Sequence, residues 1–182
     1  MPDWTADPLI WGQGGTRFEM FLEPTCPFSA KAFGRIDGLL ARAGDRITVR
    51  LWLHSQPWHL LSPIVCRAIA GASTLDGGRE DARRLMAAVF DHRAEFAFEN
   101  HAAGPNRGRT PDDILARLAM LGSVDATAAF ERDGIESVVK HHTRYARQNG
   151  IHGSPTVMVD GLVREDIESD ADADDWVARI LG

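Results

Sequence analysis

The hydrophobic pattern of the first third of the chain predicts a strand, a helix and a second strand. Residues 17–22 form a short, mostly apolar run, which is typical of a buried strand. Apolar residues then recur at helical spacing from Cys26-Pro27 until Gly44, where the predicted helix ends. Over residues 47–53, apolar and polar side chains alternate with the period of a half-buried strand.

The middle of the chain is predicted to be helical, and its end returns to strand patterns. Ser62-Pro63 places a proline at the start of a helix, where a backbone N–H is not needed. Residues 156–159 are apolar and lead into Asp160-Gly161, a pair typical of a hairpin turn. A final helix follows. The predicted order is strand-helix-strand, a helical block, and strand-strand-helix.

Composition and charge narrow the class of protein. The hydrophobic fraction of 44% is ordinary for a globular chain. The net charge of -6 argues against nonspecific binding to nucleic acid or to an anionic membrane. No run approaches the ~18 apolar residues of a membrane span, and the first residues lack the features of a secretory signal. Two widely separated cysteines fit a reducing compartment, so we expect a cytoplasmic location.

The first candidate reactive group is Cys26, in the segment Cys26-Pro27-Phe28-Ser29. A seam between strand and helix places its sulfur beside backbone N–H groups that lack partners within the helix. Those groups and the helix dipole favour the thiolate over the thiol. Pro27 suits the first helical position, and the Ser29 hydroxyl is a candidate donor to the thiolate. The motif alone is equally compatible with an inert buried cysteine.

The second motif begins at Gly150 and ends in Ser154-Pro155-Thr156. A Ser-Pro pair just ahead of a strand is a candidate for a cis peptide bond, although an ordinary loop proline would give the same letters. Both motifs stand at the edge of a predicted strand. If those strands belong to one sheet, the motifs meet.

Together the two segments resemble the active-site and cis-proline segments of DsbA-like thioredoxin-fold oxidoreductases. Residues 21–29 are similar to the first, and residues 150–161 are similar to the second with its hairpin. The resemblance extends over roughly residues 16–182. It implies a thioredoxin-like α/β fold, a mixed sheet with flanking helices, that carries a helical insertion. It also implies a cis bond before Pro155, packed against Cys26.

The resemblance divides the chain into three parts. We expect residues 1–15 to form an irregular N-terminal arm and residues 61–149 to form an inserted helical domain. Residues 16–60 and 150–182 are expected to form the thioredoxin-like domain around that insertion.

The sequence departs from the dithiol members of the family at one position. Those members carry Cys-x-x-Cys, whereas here Ser29 stands in place of the second cysteine. Efficient donation of an internal disulfide is therefore not expected. The resemblance implies a thiol-disulfide oxidoreductase that acts through Cys26 alone on protein or glutathione disulfides. A monothiol needs an outside thiol for release, and glutathione is the candidate co-substrate. No bound cofactor and no metal are expected.

Residues on both motifs are assigned to the site. We expect Cys26 to be the nucleophile and Ser29 to stabilise its thiolate, while backbone ahead of Pro155 pairs with a bound peptide or with glutathione. His54 is a candidate proton carrier, and His59 lies in the same loop. The residues expected to contact substrate are Pro27, Phe28, Ser154, Pro155 and Thr156.

Other candidate residues have structural alternatives. Cys66 has apolar neighbours at helical spacing and is predicted to lie in the core. A role as a resolving thiol would need its Cα within about 7 Å of that of Cys26. Glu23 could tune the thiol or brace the turn. His141-His142 lacks the spacing of a metal site and is predicted to lie on a solvated helix face.

Two other function classes remain open at this point. Glutathione-dependent isomerases and transferases of related fold activate glutathione in the same pocket, usually with serine in place of the cysteine. Cys-Pro-Phe-Ser is also similar to the Cys-Gly-Phe-Ser of monothiol glutaredoxins, which bind an iron-sulfur cluster with glutathione. The similarity to monothiol glutaredoxins is also compatible with a thiol or iron-sulfur binding module that has no catalytic activity. The sequence is compatible with a monomer or a homodimer.

Overall fold

The structure is a computed structural model that describes residues 3–100 and 103–182. One mixed sheet has the strand order β1-β3-β2-β4-β5, in which β2 and β3 are parallel and the other neighbours are antiparallel. The strands are β1 (Ile10–Gly12), β2 (Thr16–Leu22), β3 (Ile47–Leu53), β4 (Thr156–Val159) and β5 (Leu162–Val163). This mixed sheet with flanking helices confirms the predicted fold class.

Helices surround this sheet, and most of them lie between β3 and β4. The helices are α1 (Pro27–Phe33), α2 (Ile36–Ala43), α3 (Ser62–Ala72), α4 (Gly78–Asp91), α5 (Pro111–Gly122), α6 (Thr127–Phe130), α7 (Glu136–Gln148) and α8 (Ala173–Leu181). Short 3₁₀ turns occupy Gly44–Arg46, Arg93–Phe96 and Pro105–Gly108. Within the described ranges, no helix combines the length and the apolar content that crossing a membrane requires.

The sheet brings three distant segments to one edge. Since β2 and β3 are parallel, their carboxyl ends lie side by side at that edge. β4 runs antiparallel to β2, with Thr156 opposite Phe21, so its amino end lies there too. Cys26 after β2, His54 after β3 and Pro155 before β4 therefore share one edge of the sheet.

A continuous hydrophobic core joins the sheet to the helices between β3 and β4. Phe18 on β2 and Trp176 on α8 are fully buried in it, together with Val65 and Phe96 from the helical segment. The rings of Phe18 and Trp176 pack edge to face with centroids 5.4 Å apart. Burying a large apolar side chain contributes about 1.5–3 kcal/mol, so each part of the core stabilises the other.

The opposite face of the sheet carries a smaller aromatic cluster, which α7 covers. Phe21 and Trp52 stack with centroids 6.1 Å apart, and the Tyr145 ring lies 4.4 Å from that of Trp52. Glu19 is buried beside them and accepts hydrogen bonds from Trp52 Nε1 at 2.9 Å and from the Tyr145 hydroxyl at 3.3 Å. These donors compensate for the burial of its carboxylate.

His142 belongs to this cluster, which contradicts the solvated helix face predicted for His141-His142. Nδ1 of His142 accepts the N–H of Leu53 at 3.1 Å, and its ring meets Trp52 edge-on with centroids 5.0 Å apart. Burial lowers the pKa of His142 to about 3, so the ring is neutral. His141 is exposed, as predicted. The sequence pattern did not reveal that this face of α7 covers Trp52.

The irregular arm predicted over residues 1–15 contains a strand. β1 pairs antiparallel with β3, with Ile10 opposite Arg50 and Gly12 opposite Thr48. A strand of 3 residues is too short to show a hydrophobic period, and it forms because the edge of β3 offers backbone partners. The first two residues of the predicted arm lie outside the described residues.

The helix predicted from Cys26 to Gly44 is divided into α1 and α2. At the break, the N–H of Arg35 bonds to the carbonyl of Ala32, three residues back, at 3.1 Å. Glycine in a helix interior costs about 1 kcal/mol relative to alanine. Gly34 is therefore the weakest position of the predicted helix, and the tighter turn forms there.

Candidate active site

Cys26 lies at the junction of β2 and α1, where the sequence pattern places it. It is the N-cap residue of α1, with φ -80 and ψ 130, and Pro27 follows at the start of the helix. The N–H of Cys26 donates to the carbonyl of Glu23 at 3.1 Å, and its carbonyl accepts from the N–H of Ala30 at 3.1 Å. The first turn of a helix leaves N–H groups without intrahelical partners, and Cys26 stands at the start of that turn.

The sulfur of Cys26 meets the second motif. Its thiol donates to the carbonyl oxygen of Ser154, with Sγ and oxygen 3.7 Å apart. The peptide bond between Ser154 and Pro155 is cis. Cys26 is 5% exposed, whereas Pro27 and Phe28 beside it are exposed. The exposed surface next to the sulfur is therefore the first turn of α1.

Ser29 contacts the turn that precedes the cysteine. Its Oγ accepts the N–H of Glu23 at 3.1 Å, and the residue is fully buried. In the described part of the chain, no hydrogen bond joins this hydroxyl to the Cys26 sulfur, and none uses its proton. On the other side of the sulfur, Thr156 Oγ1 donates to the carbonyl of Gly153 at 3.0 Å and holds the cis-proline turn.

A buried carboxyl group lies beneath the turn, and its surroundings were not evident from the sequence. Glu23 is fully buried. Its Oε2 accepts from the Thr25 N–H at 2.9 Å and from Thr25 Oγ1 at 2.8 Å. Oε1 has no hydrogen-bond partner among the described residues. Burial raises the pKa of Glu23 to about 7.

His59, rather than His54, connects this turn to the loop after β3. Nδ1 of His59 lies 3.0 Å from Thr25 Oγ1 and 3.4 Å from Glu23 Oε2. Burial lowers the pKa of His59, and the charge of Arg93 lowers it further. The residues His59 and Glu23 are far apart in the sequence, and no pattern in either segment predicts their contact.

His54 lies at the end of β3, where its N–H donates to the carbonyl of Leu22 at 2.8 Å. It is 3% exposed, and neither ring nitrogen has a hydrogen-bond partner among the described residues. Burial lowers the pKa of His54, as does the charge of Arg147. His54 is thus a neutral ring on the same sheet edge as Cys26, without a hydrogen bond to its sulfur.

Cys66 is sealed inside the core on α3. It is 0% exposed, and its sulfur lies 3.7 Å from Oγ of Ser62. Burial raises the pKa of the Cys66 thiol, and the charge of Glu23 raises it further. Both cysteines are free thiols. These surroundings favour the core role for Cys66 over the role of a resolving thiol.

Iodoacetamide near neutral pH is therefore expected to modify the folded protein at Cys26 alone. Cys66 has neither access to solvent nor thiolate character, and the thiolate is the reactive form. Peptide mass spectrometry should find one carbamidomethyl group in the folded wild type and two after unfolding in urea. The Cys66→Ser variant should carry one group under both conditions. Rapid modification of Cys66 in the folded chain would contradict its placement.

A groove of about 750 Å³ opens beside the cis-proline turn. Its walls are Phe28 and Ala32 on α1, the segment 150–157, and the chain between β5 and α8. Trp176 lies at its base. This volume is within the usual range of ligand pockets. Over residues 3–100 and 103–182, no group of three or more His, Cys, Asp or Glu side chains is placed to hold a metal ion.

Comparison with known proteins identifies relatives among solved structures. No family model and no curated protein matches the chain. A candidate protein-disulfide isomerase from Pseudomonas syringae, known from its crystal structure, is 52% identical in sequence to this chain. The match covers 96% of this chain and 98% of that one, with a TM-score of 0.94.

More distant structures share the fold. The thiol-disulfide exchange protein α-DsbA2 from Wolbachia pipientis is 14% identical, with a TM-score of 0.69 over 94% of this chain and 84% of that one. The oxidoreductase DsbA from Xylella fastidiosa is 20% identical, with a TM-score of 0.64 over 97% of this chain and 87% of that one. At these identities, the likeness concerns the arrangement of the sheet and helices.

Proposed function

This chain belongs to the DsbA-like family of thiol-disulfide oxidoreductases, and from that membership we propose that it exchanges disulfides through the single sulfur of Cys26. The observation that carries the proposal is the 3.7 Å contact between Cys26 Sγ and the carbonyl of Ser154, at the cis bond before Pro155. This contact places the sulfur against backbone that can bind a substrate. Ser29 occupies the position of a second cysteine, so the reaction proceeds without an internal disulfide.

The proposed reaction has two exchange steps. In the first, the Cys26 thiolate attacks one sulfur of a substrate disulfide, an S–S bond forms between them, and the other substrate sulfur leaves as a thiolate. In the second, the thiolate of an outside thiol attacks the substrate sulfur of this mixed disulfide and releases Cys26 as a thiolate. We propose glutathione as that outside thiol. Such a cycle requires a reducing compartment such as the cytoplasm.

The surrounding residues bind the substrate and stabilise the thiolate. We propose that the first-turn N–H groups of α1 stabilise developing negative charge on the sulfur, and that the Ser29 hydroxyl turns its proton toward the thiolate when it forms. Backbone of Ser154 ahead of Pro155 pairs with an extended peptide or with glutathione. The exposed Pro27 and Phe28 contact the substrate on the helix side, and Thr156 holds the turn on the other side.

The leaving thiolate can be protonated by water or through a relay, and two neutral histidines near the sheet edge are candidates for such a relay. His54 is buried there with both ring nitrogens unpartnered among the described residues. His59 has partial access to solvent and contacts Thr25, the neighbour of Cys26. We propose that His54 carries the proton, with His59 as the ring that connects the active-site turn to solvent.

Glutathione disulfide should trap the first intermediate of this cycle. We expect the wild type to gain one glutathionyl group on Cys26, which peptide mass spectrometry locates. Addition of reduced glutathione should then restore the free thiol. Cys66→Ser should behave in the same way because the cycle does not use that sulfur.

Two results would contradict the single-cysteine cycle. One is a glutathionyl group on Cys66 in the folded protein. The other is an intramolecular disulfide between Cys26 and Cys66 that forms faster than glutathione releases the adduct. The second result would make Cys66 the resolving thiol.

A further inference from the structure

The groove beside the sulfur carries an excess of acidic side chains on one wall. Glu165, Glu168 and Asp170 lie between β5 and α8, line the groove and have exposed side chains. None of the three carboxylates forms an ion pair within the described ranges. Their charges therefore face whatever enters the groove.

Two of the basic groups nearest this wall, Arg164 and Arg179, are paired with other acids, whereas the charge of Arg35 has no carboxylate partner among the described residues. Arg164 donates two hydrogen bonds to the Asp166 carboxylate, each of 2.7 Å. Arg179 donates to an Asp175 oxygen at 2.7 Å. The Arg35 guanidinium donates to the backbone carbonyl of Asp170 at 3.3 Å rather than to its side chain.

On the opposite wall, the ammonium group of Lys31 lies over the Phe28 ring, 5.6 Å from its centroid. The ammonium group of Lys31 therefore makes a cation–π contact with the Phe28 ring. The groove is lined by the acids Glu165, Glu168 and Asp170 and by one base, Arg164. The charge of Arg164 is balanced by the carboxylate of Asp166.

The remaining lining of the groove is mixed: His152, Ser154, Thr156 and Ser169 are polar, and an apolar part reaches α1, the helix that follows Cys26. Phe28 is 56% exposed at the mouth. Ile151, Val157 and Trp176 are buried side chains along the walls and base. A segment with both cationic and apolar side chains complements such a surface in charge and in polarity.

We propose that the groove binds a cationic polypeptide segment next to the cysteine whose disulfide Cys26 attacks. The proposal rests on the single-cysteine exchange described above and names the class of its substrate. Lysine or arginine side chains of the substrate would lie against Glu165 and Glu168, and an apolar side chain would lie against Phe28. The glutathione tripeptide, with two carboxylates and one ammonium group, is then the releasing thiol rather than the preferred occupant.

This arrangement makes the first exchange step dependent on charge. Complementary charge accelerates the encounter of the two partners, and salt screens exposed charges over about 10 Å at 0.1 M. A cationic substrate should therefore react faster at low salt than at high salt. An anionic substrate of the same length should show the opposite dependence.

Two synthetic peptides test the proposal with the full chain. Each has one cysteine in a disulfide with 2-nitro-5-thiobenzoate, whose release is followed by absorbance, and they differ only in two lysines or two glutamates beside that cysteine. Each rate is divided by the rate of release by 2-mercaptoethanol, which removes the intrinsic reactivity of the peptide. We expect the lysine peptide to react about tenfold faster at low salt.

Removing the charges of the wall should remove this preference. In the double variant Glu165→Gln, Glu168→Gln, the lysine peptide should keep only a two- to threefold advantage, roughly the effect of the remaining acid. The matched control Asp76→Asn, Glu131→Gln loses the same charge at two exposed acids outside the groove lining. It should keep the wild-type preference.

The outcomes separate this inference from the function on which it rests. Equal rates for the two peptides with the wild type would overturn the cationic-substrate proposal and leave the exchange reaction intact. If the control variant lost the preference for the lysine peptide to the same extent, the cationic-substrate proposal would also be overturned. The net charge of the protein, rather than the wall of the groove, would then explain the preference. Release that persists unchanged in Cys26→Ser would overturn the single-cysteine function itself, and the inference with it.

Discussion

Replacement of Cys26 by serine should lower the rate of thiol-disulfide exchange by about a thousandfold or more, as expected when a nucleophile is removed. A serine hydroxyl is not ionised near neutral pH and does not attack disulfides, whereas the cysteine thiolate does. The remaining thiol, Cys66, is 0% exposed, and burial raises its pKa. It cannot substitute for the missing sulfur. The measurement is steady-state reduction of a peptide–glutathione mixed disulfide by reduced glutathione.

Cys66→Ser is the matched control for this measurement. The Ser62 hydroxyl lies 3.7 Å from the Cys66 sulfur and offers a partner to the new hydroxyl, so the variant should fold. Its activity should remain close to that of the wild type. Activity that disappears in both variants would indicate a cycle with two cysteines.

Replacement of Glu23 by glutamine should stabilise the folded chain at alkaline pH and leave it unchanged at acidic pH. The buried carboxyl group has a pKa raised from 4.5 to about 7 because it has left water. Its Oε1 has no hydrogen-bond partner among the described residues, and the hydrogen bonds from Thr25 to Oε2 offset only part of the cost of ionising a buried group. The amide of glutamine is neutral at every pH and retains an oxygen for the two donors on Thr25.

The sign of the effect follows from proton linkage. Between pH 4.5 and about 7, the folded chain keeps a proton on Glu23 that the unfolded chain has lost. The free energy of unfolding therefore falls as the pH rises through this window and stays lower above it. Each unit of difference between the folded and unfolded pKa values corresponds to about 1.4 kcal/mol of unfolding free energy. The full difference is on the order of 3 kcal/mol.

Urea denaturation at about pH 4 and about pH 8 measures this difference. We expect the two proteins to be equally stable at the lower pH and Glu23→Gln to be more stable by about 1–3 kcal/mol at the higher pH. Burial lowers the pKa of His54 and His142, but both titrate in wild type and variant, so the comparison cancels them. The exposed Glu131→Gln should show no such difference. A wild type that matches Glu23→Gln at both pH values would refute the explanation.

The parts of the fold that were predictable depend on local signals. β2 and β3 carry apolar patterns long enough to show a period, and Pro27 marks the first turn of α1. Cys26 could be placed from those signals because its position is a property of adjacent residues. The mixed sheet followed from the order of the elements and from the resemblance between two short motifs and a known family.

The parts that were not predictable depend on contacts between distant segments. β1 forms by pairing with the edge of β3, and His142 is half-buried against Trp52. The contact of His59 with Glu23 and Thr25 joins two loops that share no motif. Glu165, Glu168 and Asp170 form a wall of the groove only because the fold places the segment between β5 and α8 beside the active site.

Because the core is continuous, a core substitution far from the active site should affect the thermal stability of the whole chain. Val65 and Phe96 share one packed interior with Phe18 and Trp176, so the helices between β3 and β4 are not a detachable cover. Elements that share a core melt in one cooperative transition. A cavity opened beneath α3 should therefore lower the melting temperature of the whole chain, including the sheet edge next to Cys26.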